Sequence, residues 1–401
     1  MNHGANPDNS GLLAFAENFA IPPVNKAAMR HKSGIRRSCF FPVYAPYVQM
    51  LKLHNHYLKP NAFAGPESEY WCIRNAAGLL DVTGEEVISI EGPDALDLMN
   101  SLVPRDLEKL PDGRAMYCVM CYDHGGIVED AILVRFNREK IWWVGGPGYS
   151  EQWIYVHSLD ADVEVRGHND NLHVASLQGP KSREILASLC DFDVDALPVF
   201  GLGQGRICDV AATVTRTGYT AELGYDIYVD VRLGEQMFAG LLQAVRAAGG
   251  DLCGSASLNL RRMEAAILNF TEDFDWQHTP FDIGLGWMVD FDQPGDFTGR
   301  RALESRVQSP AAQKLVGLTL DDEVPLQAGT VLMAGSLAVG EITSAIRSPA
   351  LERNIALGWV SAEHARPGST LVAVFDNTSA TAQVVKRPFL DPERKLMRAR
   401  P

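Results

Sequence analysis

Residues 87–102 read VISIEGPDALDLMNSL, and residues 174–189 read VASLQGPKSREILASL. The two stretches keep a constant offset of 87 positions, 179 − 92 for the glycines and 189 − 102 for the last leucines. Each begins with the period-two alternation of a half-buried strand, breaks at Gly-Pro, and continues with apolar residues at helical spacing. The proline falls at the first turn of the expected helix, where a missing N–H costs nothing. The segments downstream of the two copies also match in kind. After the first come AILVRF, KIWWVGG and the helix-like YSEQWIYVHSL; after the second come AATVTR, YDIYVDV and GEQMFAGLLQAV. The reading is a duplicated strand–helix–strand–strand–helix unit. Such a unit buries one sheet face only if the two halves pack together as α+β layers.

The rest of the chain is organised around that repeat. From Leu315 onward, KLVGLTL, TVLMAG, LAVGEITSAI, NIALGWV and TLVAVF are short apolar runs between Gly, Pro and Asp turns. They predict a small all-β barrel or sandwich, with a linker helix from Arg300 to Gln313. The first residues carry Asn, Pro, Gly and Ser without periodicity. The expected division is a flexible extension over 1–40, a duplicated α+β region over 41–300 with halves at about 41–165 and 166–300, and the linker and β domain over 301–401.

Composition narrows the function. A formal charge of −14 argues against nucleic acid or an anionic membrane as partner, because phosphate recognition needs a basic footprint. No apolar run approaches the ~18 residues that cross a bilayer. The N-terminus has no basic segment ahead of an apolar stretch, and seven cysteines, an odd number, suit a reducing cytoplasm. Cys118 and Cys121 form a CxxC with no second pair, so a structural thiol pair is expected and no metal site.

Hydrolytic and phosphate-binding motifs are missing: there is no GxSxG elbow, and GGPG (145–148) lacks a following GK[ST]. GPKS (179–182) is explained by the helix start that its twin GPDA shares. Acids in turns are more informative. Asp130 opens the apolar run AILV, where a carboxylate is either a turn cap bonded to backbone N–H groups or a functional group kept from water. RTGYTAELGYDIYV (216–229) holds Glu222 and Asp226 in a Gly/Tyr turn leading into a strand. Alternation puts Asp226, Tyr228 and Asp230 on one face of that strand and Ile227, Val229 and Val231 on the other. In NLRRMEAA one of Arg261 and Arg262 faces the body of the protein or both are solvated. His54, His56 and Tyr57 in LHNHYLKP (53–60) are candidate pocket residues.

Taken together, RNAAGLLDVTG (74–84), IEGPDAL (90–96), MYCVMCYDHGGIVEDAI (116–132), LQGPKS (177–182), RTGYTAELGYDIYV, LRRMEAA (260–266), PFDIGLGW (280–287) and GEITSAIRSP (340–349) resemble the aminomethyltransferase superfamily. That superfamily includes the glycine-cleavage T-protein and tetrahydrofolate-dependent demethylases such as dimethylsulfoniopropionate demethylase. The resemblance spans residues 42–390 and implies three domains in a ring, with tetrahydrofolate through a central channel. It implies that Tyr117 and Asp130 are catalytic, lining the site near the pterin N5. Asp226, with Glu222, Tyr219 and Arg262, would bind the cofactor, and His54, His56 and Tyr57 would face the substrate. Asp226 stands where the family usually has Glu, and GYTAE replaces GYTGE.

A carboxylate suits the pterin because a 2-aminopyrimidinone offers parallel N–H donors that one carboxylate accepts as a fork. The leading expectation is a cytoplasmic demethylase moving a methyl group from a small S-, O- or N-methylated substrate to N5 of tetrahydrofolate. One alternative is the T-protein's aminomethyl transfer. Another is a non-catalytic folate-binding or iron–sulfur assembly protein, which the lack of a Lys-Gly-Cys-Tyr-like motif disfavours.

Overall fold

The computed structural model describes residues 34–399 except 147, 310, 322–325 and 377. Most of the expected extension, residues 1–33, lies outside the described residues. Arg36–Arg37 (β1) already pairs in parallel with Tyr57–Leu58, and Ser38 and Phe40 are buried, so ordered structure begins ahead of residue 40. Met50–His54 (β2) and Tyr57–Ala62 (β3) form an antiparallel hairpin. Its two-residue turn, Asn55-His56, has φ of 43° and 66°, the signs a type I′ turn requires.

The duplication is visible element by element. Gly78–Asp81 (β4), Glu86–Glu91 (β5), a helix over Ala95–Leu102, Arg114–Cys121 (β6), Ile127–Asn137 (β7), Lys140–Gly145 (β8) and a helix over Ser150–His157 make the first unit. Glu164–Gly167 (β9), Leu172–Gln178 (β10), a helix over Ser182–Ala187, Leu202–Ile207 (β11), Val210–Thr215 (β12), Gly224–Asp230 (β13) and a helix over Gly234–Ala247 make the second. Each unit thus has two more strands than expected, β4 and β6 in the first and β9 and β11 in the second, and the prolines sit just before the helices rather than in their first turns.

The sheets run β6-β7-β8-β5-β9 and β11-β12-β13-β10-β4, the latter extended by Asp251–Leu252 (β14). Position for position these orders are the same, but the fifth strand is exchanged. β9, which opens the second unit, pairs antiparallel with β5 of the first; β4, which opens the first, pairs antiparallel with β10 of the second.

Glycine makes both exchanges possible. Gly92 and Gly179 have φ of 146° and 128°. A Cβ on Gly92 would lie 2.3 Å from the carbonyl oxygen of Asp162, just ahead of β9; one on Gly179 would lie 2.4 Å from that of Ile73, just ahead of β4. Each Gly-Pro break is where the backbone of the incoming strand docks.

Four layers result. Between the sheets, Leu80, Val82, Val174 and Tyr228 pack on Val87, Ala115, Val134 and Trp142. Outside the second sheet, Ala175, Leu177 and Ile227 meet Ile185, Phe238 and Leu241 of its helices. Outside the first, Ile90, Leu133 and Trp143 meet Leu96, Met99 and Ile154.

The C-terminal domain follows a helix over Arg300–Gln308 and is a closed barrel. Its strands are Gln313–Leu320 (β15), Val331–Ala334 (β16), Leu337–Ser348 (β17), Arg353–Ser361 (β18), Thr370–Phe375 (β19) and Thr378–Val385 (β20), with β20 closing back on β15. The sequence reading lacked β20, because TSATAQVV has too few large apolar residues to stand out. Val119 and Ile127 of the first sheet, Met263 of a helix over Ser255–Glu264, and Leu315, Ile355 and Trp359 of the barrel share one core. The first sheet, that helix and the barrel therefore meet beside the turn between β6 and β7.

Candidate functional site

Strand alternation decides which ionisable residues meet. In the β6/β7 register Val119 faces Asp130 and Tyr117 faces Ile132, so Tyr117 and Asp130 are diagonal neighbours on one face. Tyr117 Oη donates to Asp130 Oδ2 at 2.6 Å, and both residues are half-buried. Burial lifts the Asp130 carboxyl to about 6; the Tyr117 hydroxyl offsets part of that rise, and the charge of Asp273 adds to it. Burial and the Asp130 charge push the Tyr117 phenol well above its ordinary value, so it stays a donor. Tyr219 belongs to the same group: burial raises its phenol, the charges of Arg262 and Asp130 reach it, and its hydroxyl donates to the carbonyl of Leu268.

Arg261 and Arg262 are both buried, so neither is a solvated surface arginine. Arg262 commits all five N–H donors, to Asn259 Oδ1, the Ile267 carbonyl, Asp273, Glu272 and Ser344 Oγ, with Asp273 at 2.6 Å. With no donor to spare, it fixes Asp273 and the loop around it. Asp273 is a group the sequence reading missed; its fully buried carboxylate also accepts from Thr343 and Ser344 of the barrel.

Glu129 precedes Asp130 but faces the opposite side of β7. It is buried against Trp143 Nε1 (3.2 Å), the Gly148 amide (3.1 Å) and the Ser150 hydroxyl, and burial raises its carboxyl to about 8. The adjacent acids thus separate into one that holds a loop and one that faces the interior. Cys118 and Cys121 divide likewise between two different cores, and both are free thiols. Among the described residues no group of three or more His, Cys, Asp or Glu is placed to hold a metal.

The two acids of the Gly/Tyr turn have different company. Glu222 is buried and its Oε1 takes Arg74 at 2.5 Å and Arg261 at 2.8 Å. Arg261 also pairs with Glu264, which accepts from Tyr70 and Ser348. Breaking such a buried network by removing one partner costs about 3–5 kcal/mol. Asp226 accepts from Ser176 Oγ and Thr217 Oγ1, each at 2.6 Å, one on each oxygen. Burial raises its carboxyl despite both bonds. As alternation predicts, Ile227 and Val229 lie in the outer core while Tyr228 lies between the sheets.

Of the three hairpin candidates, His54 is half-buried against Gly84, whose missing Cβ would lie 3.2 Å from its ring. Burial, with Lys59 and Lys52 adding to it, depresses its pKa to about 3, so the ring is neutral. His56 is an exposed turn residue. Tyr57 points elsewhere, donating to the Asn169 carbonyl at 2.8 Å and accepting from Arg36 at 3.4 Å. Beside His54 lie two residues the sequence reading did not select, Lys59 and Glu85. Burial and the Asp226 charge raise the Glu85 carboxyl to about 8, while burial lowers the Lys59 ammonium. The signal for Lys59 was its place opposite Lys52 on one face of the hairpin.

The acceptors fit tetrahydrofolate. Asp226 spends one acceptor site on each oxygen and keeps another on each, so it can still receive paired N–H donors. Asp130 keeps Oδ1 clear of Tyr117.

Residues 24–293 match the family model described as the GCVT N-terminal domain, and residues 313–391 match the glycine cleavage T-protein C-terminal barrel domain. An aminomethyltransferase from Thermotoga neapolitana is 32% identical over 336 residues, 83% of this chain and 92% of that protein. An aminomethyltransferase from Streptomyces coelicolor is 32% identical over 337 residues, 82% of this chain and 91% of that protein. A trimethylamine-oxide aldolase from Ruegeria pomeroyi is 33% identical over 373 residues, 90% of this chain but 47% of that longer protein. The crystal structure of glycine cleavage system aminomethyltransferase T from Bartonella henselae has the same fold, with a TM-score of 0.83 at 22% identity over 89% of this chain and 98% of that one.

Proposed function

Because the chain belongs to the glycine-cleavage T-protein family of aminomethyltransferases, we propose that it passes the methylene carbon of a sulfur-borne aminomethyl group to tetrahydrofolate, releasing ammonia and the free thiol, as an aminomethyltransferase does. The protein is a folate-dependent one-carbon transferase. The demethylase expected from the sequence yields here to its alternative, since the relatives are chiefly aminomethyltransferases. A cytoplasmic setting is part of the proposal, supported by seven free cysteines; no helix among the described residues is long and apolar enough to cross a membrane.

The Tyr117–Asp130 pair carries the reading. A carboxyl poised at about 6 can hold or release a proton near neutrality, which is what a nitrogen changing its bonds demands. Tyr117 fixes Oδ2 and so aims Oδ1. Tyr219 and the Arg262–Asp273 pair hold the facing loop in place. Asp226 supplies the acceptor for an N–H-bearing heterocycle, held still by Ser176 and Thr217. Tetrahydrofolate, when bound, supplies the nitrogen that accepts the carbon.

The test is product analysis after incubation with tetrahydrofolate and either aminomethyl-lipoyl carrier or a panel of S-, O- and N-methyl compounds. The proposal expects 5,10-methylene-tetrahydrofolate from the aminomethyl donor. Exclusive formation of 5-methyl-tetrahydrofolate would sink it and favour methyl transfer, a second reading supported by the likeness to the aldolase over 90% of the chain.

A further inference from the structure

All seven cysteines are free thiols, and two of them meet away from the Tyr117–Asp130 pair. Cys72 lies in a helix over Pro66–Asn75, and Cys253 follows β14 just ahead of the helix that carries Arg261 and Arg262. That first helix leads into β4, and β14 pairs in parallel with β4. The fold thus brings together two thiols that are 253 − 72 = 181 positions apart.

The Cys253 sulfur is hemmed in by backbone. It lies 3.5 Å from the carbonyl oxygen of Glu69, three residues before Cys72, and 3.7 Å from that of Asp251. Gly78 walls off another side, since a Cβ there would lie 2.7 Å from the sulfur. The Cys72 sulfur is 3.4 Å from the carbonyl oxygen of Ala77, the neighbour of that glycine. Between them the two thiols share a hydrogen bond, which Cys253 donates to Cys72.

The pair is unequal in the sense that ordered exchange needs. Cys253 is 1% exposed; burial holds its thiol well above the ordinary value, and the bond to Cys72 adds to that. Cys72 is half-buried, and it alone of the seven is drawn downward. The Cys253 hydrogen bond lowers it most, and the Asp251 amide helps against the effect of burial. Burial raises the other five, including both members of the CxxC. The accessible thiol is therefore the better nucleophile, and the buried one is placed to resolve what it forms.

We propose that Cys72 and Cys253 are a reversible disulfide site, closed by exchange with a small-molecule disulfide and clamping together the two helices that hold Glu222. The Cys72 thiolate attacks one sulfur of the oxidant, RSSR, giving Cys72–S–S–R and releasing RS⁻. Cys253 then gives up its proton and attacks the Cys72 sulfur, expelling the second RS⁻. Two protein thiols are oxidised, one small disulfide is reduced to two thiols, and the two protons end on them. In a reducing compartment such a pair stays open until an oxidised disulfide accumulates.

The clamp reinforces a joint that hydrogen bonds already make. Arg74 of the first helix and Arg261 of the second both pair with Glu222, and Tyr70 of the first donates to Glu264 of the second. The Gly254 amide, next to Cys253, donates to Glu69 Oε2 at 2.6 Å. Nothing in the exchange depends on the one-carbon reaction.

The experiment incubates the folate-free full chain with glutathione disulfide near neutral pH, alkylates the remaining thiols and maps the peptides by mass spectrometry. The expected product lacks two hydrogens and carries a Cys72–Cys253 link. It should form at least about tenfold faster than any other cysteine reacts, and dithiothreitol should reverse it. The linked protein should melt several degrees higher, because a long loop is closed. Cys253→Ala should stop at a glutathione adduct on Cys72, and Cys72→Ser should abolish the fast reaction. The wild-type map stands even where Cys253→Ala fails to fold. A lasting adduct without a link, another cysteine reacting first, or an unchanged or lowered Tm after complete linking would each overturn the site. The mapping needs no carbon donor, so these outcomes are distinct from a failure to form any folate product.

Discussion

The two halves of the duplicated region share a strand order, an exchanged fifth strand and a Gly-Pro docking point, yet they carry their acids differently. In the first half Asp130 sits on the second strand of its sheet, is half-buried, and has one side-chain donor. In the second half Asp226 sits on the third strand, is buried, and has two. One carboxyl is set to titrate near neutrality and the other to accept hydrogen bonds in a fixed orientation. The duplication therefore preserved the devices that make the layers pack, and chemistry diverged on top of them.

The sharpest way to break that comparison is Asp130→Asn. Turnover should fall about a thousandfold, because a proton carrier is lost, while folate affinity changes less than about threefold. The wild-type pH–rate profile should show a limb with an apparent pKa of about 6 that is absent from the variant. Equal losses in turnover and folate affinity would make Asp130 a scaffold residue.

Next in size is alanine at the docking glycines. Gly92→Ala and Gly179→Ala each force a Cβ into a carbonyl oxygen at positive φ, and each should cost about 3 kcal/mol in urea unfolding. Tolerance of one but not the other would show that the two exchanges are not equivalent. Asp226→Asn should then weaken folate about tenfold with turnover at saturation nearly retained, the converse of Asp130. A loss confined to turnover would reverse the assigned roles.

The smallest effect is a pH dependence of stability. Glu129 and Glu85 have folded pKa values raised to about 8, so between the ordinary carboxylate range and 8 the folded state binds protons that the unfolded state has released. Stability must therefore fall as pH rises through that window. A drop of several degrees in Tm between pH 6 and 9 is expected, and Glu129→Gln should remove only its own share. A Tm that climbs over this range would contradict the burial of these acids as charged-state penalties.

Much of this was legible in the chain. The constant offset of 87 fixed the paired layers, and period two placed Asp226 correctly relative to Ile227 and Val229. Tyr117 and Asp130 were selected and do meet. The strand exchange was not legible, because β4 and β9 look like ordinary short strands and nothing local says which sheet receives them. Nor was the fate of Arg261 and Arg262, since their buried acids come from segments distant in sequence or from their own helix turn. Glu129 could have been separated from Asp130 by alternation alone. Lys59 and Glu85 could not be joined, because only the tertiary fold brings the hairpin over the turn after β4.

The exchange also sets a timetable for synthesis. The first sheet has all five strands once residue 167 has been made, because its last strand returns to one made earlier. β4 is made by residue 81, but its neighbours β10 and β14 begin only at residues 172 and 251. At roughly 5–20 residues per second, the apolar strand GLLD waits several seconds at least on the ribosome for its first partner. Its shortness and terminal aspartate are the protections open to an unpaired edge, and a chaperone that covers this segment would act in that interval.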